Sequence, residues 1–234
     1  MEQSTTEPTN RSADQAKKPK RKRVPRAERE PQMLDAATEV FSERGFHAAS
    51  MEEIAARVQV TKPMLYAYFG SKEGLYRATV ERAGNHLVRL VEGLMEERDA
   101  EQRLSAGADA LLDFVFAQRA SWAVVYNEQL GTDGLVDITA FRERVSDFIA
   151  RTCVEIARQR NADGEAAVTE FEIASAWPYA IAMIGSCESL LRWWSKNEPI
   201  DEGACRRLCH ELVHAHLDCY LSARGRAESP TAAR

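Results

Sequence analysis

The densest chemistry in the sequence is His210-Glu211-Leu212-Val213-His214, with Cys205, Cys209 and His216 close by. On a helix, His210 and His214 point the same way and could ligate Zn²⁺, with Glu211 as the base of a hydrolase. Only Asp218 and Glu228 follow as further carboxylates, and no strand-rich substrate cleft is evident upstream. The set therefore reads first as packing residues of a helix. A metal or redox effector site and a zinc-dependent hydrolase are the alternatives.

A second constellation is built for phosphate. Lys62 offers a point charge, Tyr66 and Tyr68 offer hydroxyl donors on stiff rings, and Lys72 adds charge at a helix start. Backbone N–H groups left free at a helix N-terminus also favour an anion there. Thr61 precedes Lys62 as a helix cap, and Pro63 is tolerated in a first turn whose N–H groups are unpaired anyway. Ser50, at the start of the preceding helix, completes the candidate DNA-facing set. Singly, each aromatic is core more often than contact; the grouping favours contact.

These residues need a scaffold, and the pattern supplies one. A helix is predicted over about 29–44, with Met33, Leu34, Ala37, Val40 and Phe41 on one stripe and Gly45 as its stop. Ser50 with Glu53 is a capping box opening a second helix whose buried face is Met51, Ile54, Ala55 and Val58. A third helix runs from Thr61 to Phe69, anchored by Leu65 and Phe69. Gly70 ends it and Ser71 caps a longer fourth. Two short helices joined by a tight turn on a third form a helix-turn-helix, whose second helix enters the DNA major groove.

The stretches Ala36-Ala37-Thr38-Glu39-Val40-Phe41, Glu43-Arg44-Gly45-Phe46, Ser50-Met51-Glu52-Glu53-Ile54-Ala55 and Leu65-Tyr66-Ala67-Tyr68-Phe69-Gly70-Ser71-Lys72-Glu73 resemble the DNA-binding domain of the tetracycline-repressor (TetR) family. The resemblance covers about residues 27–85. It implies an all-α protein with an N-terminal three-helix DNA-binding domain and a C-terminal helical domain for ligand binding and dimerisation. It also implies that Thr61, Lys62, Tyr66, Tyr68 and Lys72 contact DNA, mostly phosphates. The implied function is a ligand-responsive repressor, not an enzyme, binding a pseudo-palindromic operator as a homodimer. One departure stands out: the family usually has Gly in the turn that here holds Gln59.

The expected domains are a disordered basic arm (1–26), the DNA-binding domain (27–87, with the motif at 50–69), a helical effector and dimerisation domain (88–225) and a tail (226–234). Further helices are predicted over about 100–119, 121–130, 137–160, 166–195 and 201–224. By position the last two would form the dimer. Pro178 is expected to break or kink the helix that contains it. Phe116, Trp122, Tyr126, Phe148 and Trp177 are the candidates for lining an apolar or amphipathic effector's pocket. No cofactor is implied.

Charge is unevenly spread. Residues 1–30 hold nine Lys/Arg against five Asp/Glu, leaving 22 against 31, or −9, for the rest. Within the arm Lys17, Lys18, Lys20, Arg21, Lys22, Arg23 and Arg26 form a block without an acid, which suits a polyanion partner. The longest apolar run, 176–185, is far short of the roughly 20 residues a bilayer span needs. Five cysteines with no framework spacing fit a reducing cytoplasm.

Overall fold

The computed structural model describes residues 25–97, 99–126, 139–161, 168–197 and 200–228. Among them the chain is helical throughout, with no strand. The stretches between the helices predicted over 121–130, 137–160 and 166–195 fall largely outside the described residues, as does nearly all of the arm.

Helix α1 (Arg26–Ala48) begins three residues earlier than the periodicity implies, so Arg26 belongs to the helix and not to the arm. Gly45 does interrupt it, at φ 74°, and one further turn carries Phe46 back onto Phe41 at 6.2 Å between ring centroids. Helix α2 (Met51–Arg57) is capped by Ser50, whose Oγ accepts from the Glu53 N–H at 3.0 Å. Glu53 does not complete the reciprocal box; its carboxylate pairs with Arg57 and Arg44. Arg57 also reaches Glu39 and Glu43, tying α2 to α1.

Helix α3 (Lys62–Phe69) starts at Thr61 with no side-chain cap, because the Thr61 hydroxyl accepts no backbone N–H. Gly70 ends it at φ 76°, and Ser71 caps α4 (Lys72–Glu92) through the Gly74 N–H at 3.0 Å. Val40, Phe41, Ile54, Leu65, Leu75 and Tyr76 are the centre of this first core.

The second core is built by α5 (Ala100–Ala117), α6 (Arg119–Tyr126), α7 (Thr139–Asn161), α8 (Glu170–Asn197) and α9 (Glu202–Glu228). Trp122, Leu112, Ile156, Met183, Leu191 and Trp194 are its largest fully buried side chains. Helix α8 runs unbroken through Pro178, contrary to the expected break: the residue sits on an exposed side of a long, well-packed helix. Arg158 and Arg224, from α7 and α9, converge on Glu172 of α8 at 2.6 and 3.4 Å. The Arg158 hydrogen bond holds the Glu172 carboxyl down to about 2.

Gln59, between α2 and α3, has φ 53° and is the one non-glycine residue with positive φ among those described. A side chain in the left-handed region costs on the order of 1 kcal/mol. Gln59→Gly is expected to raise stability by about 0.5–1 kcal/mol, offset in part by the freer unfolded chain. Urea unfolding checks this; an unchanged or lower midpoint would show that the turn is not strained.

Candidate nucleic-acid interface and internal cavity

Helix α3 is held from beneath and left open above. Leu65 is fully buried, and Phe69 packs partly on the first core. Tyr66, 40% exposed, points away from that anchor, as do exposed Thr61 and Pro63. Tyr68 is half-buried against the core, with the Arg26 guanidinium 4.8 Å above its ring. Ser50 is half-buried and its hydroxyl oxygen is already engaged as the α2 cap.

The two lysines are not idle cations. Lys62 is ion-paired to Glu52 of α2 and lies 5.9 Å from the Tyr66 ring centroid. That hydrogen bond raises the lysine's pKa and lowers the carboxyl's. Lys72 donates to the His47 carbonyl at 3.1 Å and sits 4.8 Å over the Phe46 ring, with its pKa lowered by burial. Lys72 thus clamps the start of α4 to the end of α1 while adding charge at that helix start. Glu52 was not foreseen; its signal is an acid placed on a short helix ten residues before Lys62.

A narrow cavity of about 60 Å³ lies inside the second core. Its walls include Leu87, Leu104, Phe148, Met183 and Val213. One end is polar. The Tyr126 hydroxyl donates to Glu188 Oε1 at 2.7 Å, and Arg142 pairs with Glu188 Oε2 at 2.9 Å. Burial pushes the Glu188 carboxyl up, and burial together with the neighbouring Glu188 charge does the same to the Tyr126 phenol.

Of the five candidate pocket residues, Tyr126 and Phe148 reach this cavity. Trp122 stacks behind Tyr126 at 3.9 Å, Phe116 packs edge-on against Trp194, and Trp177 lines an open surface recess with Met95. Arg142 and Glu188 were missed. An acid at a buried-face position among Ile184, Cys187 and Leu191 is the signal that could have found Glu188.

The His210 motif is spent on packing. His210 Nε2 lies 3.0 Å from Asp109 Oδ1, which Arg206 also reaches at 2.6 Å. His214 Nδ1 is 2.7 Å from the His210 carbonyl, and His216 Nε2 is 2.8 Å from Ser186 Oγ. Among the described residues no three His, Cys, Asp or Glu side chains converge as metal ligands.

Residues 33–79 match the model of the bacterial regulatory proteins of the tetR family. The transcriptional activator FasR of Mycolicibacterium smegmatis is 33% identical over 188 residues, covering 77% of this chain and 78% of FasR. The chain belongs to the TetR family. As a TetR-family member it is a DNA-binding transcriptional regulator and not an enzyme, and the hydrolase alternative has no support. The crystal structure of a TetR-like regulator from Rhodococcus sp. RHA1 superposes with a TM-score of 0.65 at 31% identity, covering 88% of this chain and all of that one. The repressor Rv3405c of Mycobacterium tuberculosis is 36% identical over 85 residues, 35% of this chain and 45% of that protein. No described helix is long and apolar enough to cross a membrane.

If Lys62 is a phosphate contact, its pair with Glu52 has to be given up on binding, and Glu52→Gln is then expected to tighten DNA binding about two- to fivefold on every sequence. Fluorescence anisotropy on specific and unrelated duplexes reads this. Unchanged affinity would show that the pair does not compete with DNA.

Proposed function

We propose that this cytoplasmic regulator binds a pseudo-palindromic operator as a homodimer, with α3 of each copy in a major groove, and that an apolar or amphipathic effector controls it from the cavity. One observation carries the reading: α6 contributes Val124 to the first core and Tyr126 to the polar end of the cavity. An effector of more than a few atoms displaces a wall of so narrow a space, and α6 is, with α4, one of the walls that also belong to the DNA-binding core. Only an effector that fits one arrangement better can shift operator binding; a tenfold change requires about 1.4 kcal/mol of coupling.

A second copy has an apolar face to cover. Phe171 is 83% exposed on α8, with Ile181 and Trp193 on the same helix and Leu208 on α9 also exposed. Covering such side chains favours association through these two helices. Thr61, Lys62, Pro63, Tyr66, Tyr68 and Lys72 are the DNA contacts in this reading, with Ser50 at the α2 start. Tyr126 and Phe148 touch the effector, while Phe116, Trp122 and Trp177 shape the helices around it. Repression, the family's usual behaviour, is retained as the sign. FasR is named an activator and Rv3405c a repressor, so promoter output with and without the protein is the readout for sign.

Selection of bound duplexes from a random pool tests the dimeric reading. The expected consensus has two-fold-related half-sites about one helical turn, or a multiple of it, apart. An asymmetric consensus, or a monomer on DNA, would overturn it. A thermal-shift screen of apolar acids, amines and alcohols then tests control. A hit should change operator affinity about tenfold; one that stabilises the protein without touching that affinity counts against control by the cavity.

A further inference from the structure

The polar end of the internal cavity holds two charges at different depths. Among the described residues Glu188 is the one acid in its walls and Arg142 the one cation. The Glu188 side chain is 6% exposed and that of Arg142 40%, so the carboxylate is fixed in the core while the guanidinium stands at the rim. Arg192, another cation whose charge reaches Glu188, lines a surface recess and not this cavity. The Tyr126 hydroxyl donates its proton to Glu188 Oε1, which leaves the lone pairs of the phenolic oxygen as acceptors. A ligand head arriving here meets two acceptor groups that stay, Glu188 and Tyr126, and one donor, Arg142, that can turn out to water on its long stem.

We infer that the cavity takes a small alkylammonium ligand, an aliphatic amine in its charged form, whose N–H groups replace the Arg142 guanidinium at Glu188. The inference deepens the reading of the cavity as the effector site and rests on it. Charge decides the head group. An ammonium that displaces Arg142 into water leaves one anion and one cation buried together, the balance already present. A carboxylate head would set a second anion beside Glu188, and two carboxylates sharing such a site do not both stay ionised. A hydroxyl donates one hydrogen bond without charge and ranks between the two. An ammonium has three donors, enough for Glu188 and the Tyr126 oxygen together. Phe141, Phe148 and Tyr126 line the same space, and aromatic rings attract a desolvated cation. At about 60 Å³ the cavity is under half of the roughly 150 Å³ that holds a benzene ring, so even a short alkyl chain moves a wall as it enters.

The test is calorimetric titration of the full chain, at neutral pH, with straight-chain amines, alcohols and carboxylic acids matched at about four to eight carbons. The amine should bind at least about tenfold tighter than the acid of the same length, with the alcohol between them. Glu188→Gln keeps the shape of the side chain and removes its charge; it should cost the amine about tenfold and bring it level with the alcohol. Arg142→Gln removes the competing cation and leaves Glu188 in want of a partner, so it should tighten amine binding about threefold or more and leave the acid no tighter. This second variant decides the matter if Glu188→Gln fails to fold. An acid that binds as tightly as the amine, or amine binding that Glu188→Gln leaves untouched, would overturn the inference while the cavity remains a ligand site. Amine binding weakened or unchanged by Arg142→Gln would overturn it too. Binding of none of the three heads would overturn the inference together with the reading of the cavity on which it rests.

Discussion

The Tyr76 hydroxyl donates to the Val124 carbonyl at 3.0 Å, and two residues later Tyr126 donates to Glu188 at 2.7 Å. Both bonds are made by or to α6, a helix of eight residues. Tyr76 lies in the first core, against Phe41 and Phe46 at 5.1 and 5.2 Å between centroids. Glu188 belongs to α8 in the second. Close-packed cores do not deform continuously, so a displacement at one end of α6 has to be answered at the other. The buried phenol, with its donor committed to a buried carboxylate, makes the cavity end costly to rearrange without a compensating partner.

At the DNA face the free protein keeps its cations occupied. Lys62 rests on Glu52, and Lys72 on a carbonyl and an aromatic ring. Exposed pairs of this kind contribute little to stability. Their effect is to hold α3 and the start of α4 in place. In the proposed complex, phosphate would exchange these weak partners for stronger, charge-assisted ones.

Much of this was legible in the sequence, for local reasons. Ser50 and Ser71 are caps because a hydroxyl three residues before a free N–H is within reach of it at a helix start. Gly45 and Gly70 adopt positive φ at the helix ends their positions suggested, and Gln59 does the same where the family usually has glycine. Thr61 misled, since the residue type permits a cap without making one, and Pro178 misled because long-range packing keeps α8 continuous through it. The polar end of the cavity was only half legible. Tyr126, Arg142 and Glu188 come from three successive helices, and no spacing rule links them. Trp122 and Phe116 were reasonable candidates by type, yet their rings face Tyr126 and Trp194 in place of the open space.

The claim on which the account turns is that α6 carries energy between the cavity and the DNA-binding core. A double-mutant cycle of Tyr76→Phe and Tyr126→Phe, read as affinity for the pool-selected duplex, addresses it without any effector. Residues with no shared partner normally give additive effects within about 0.3–0.5 kcal/mol. The account predicts that the double variant departs from additivity by more than that, because each hydroxyl braces the same short helix. Two measurable single effects that simply add would contradict it.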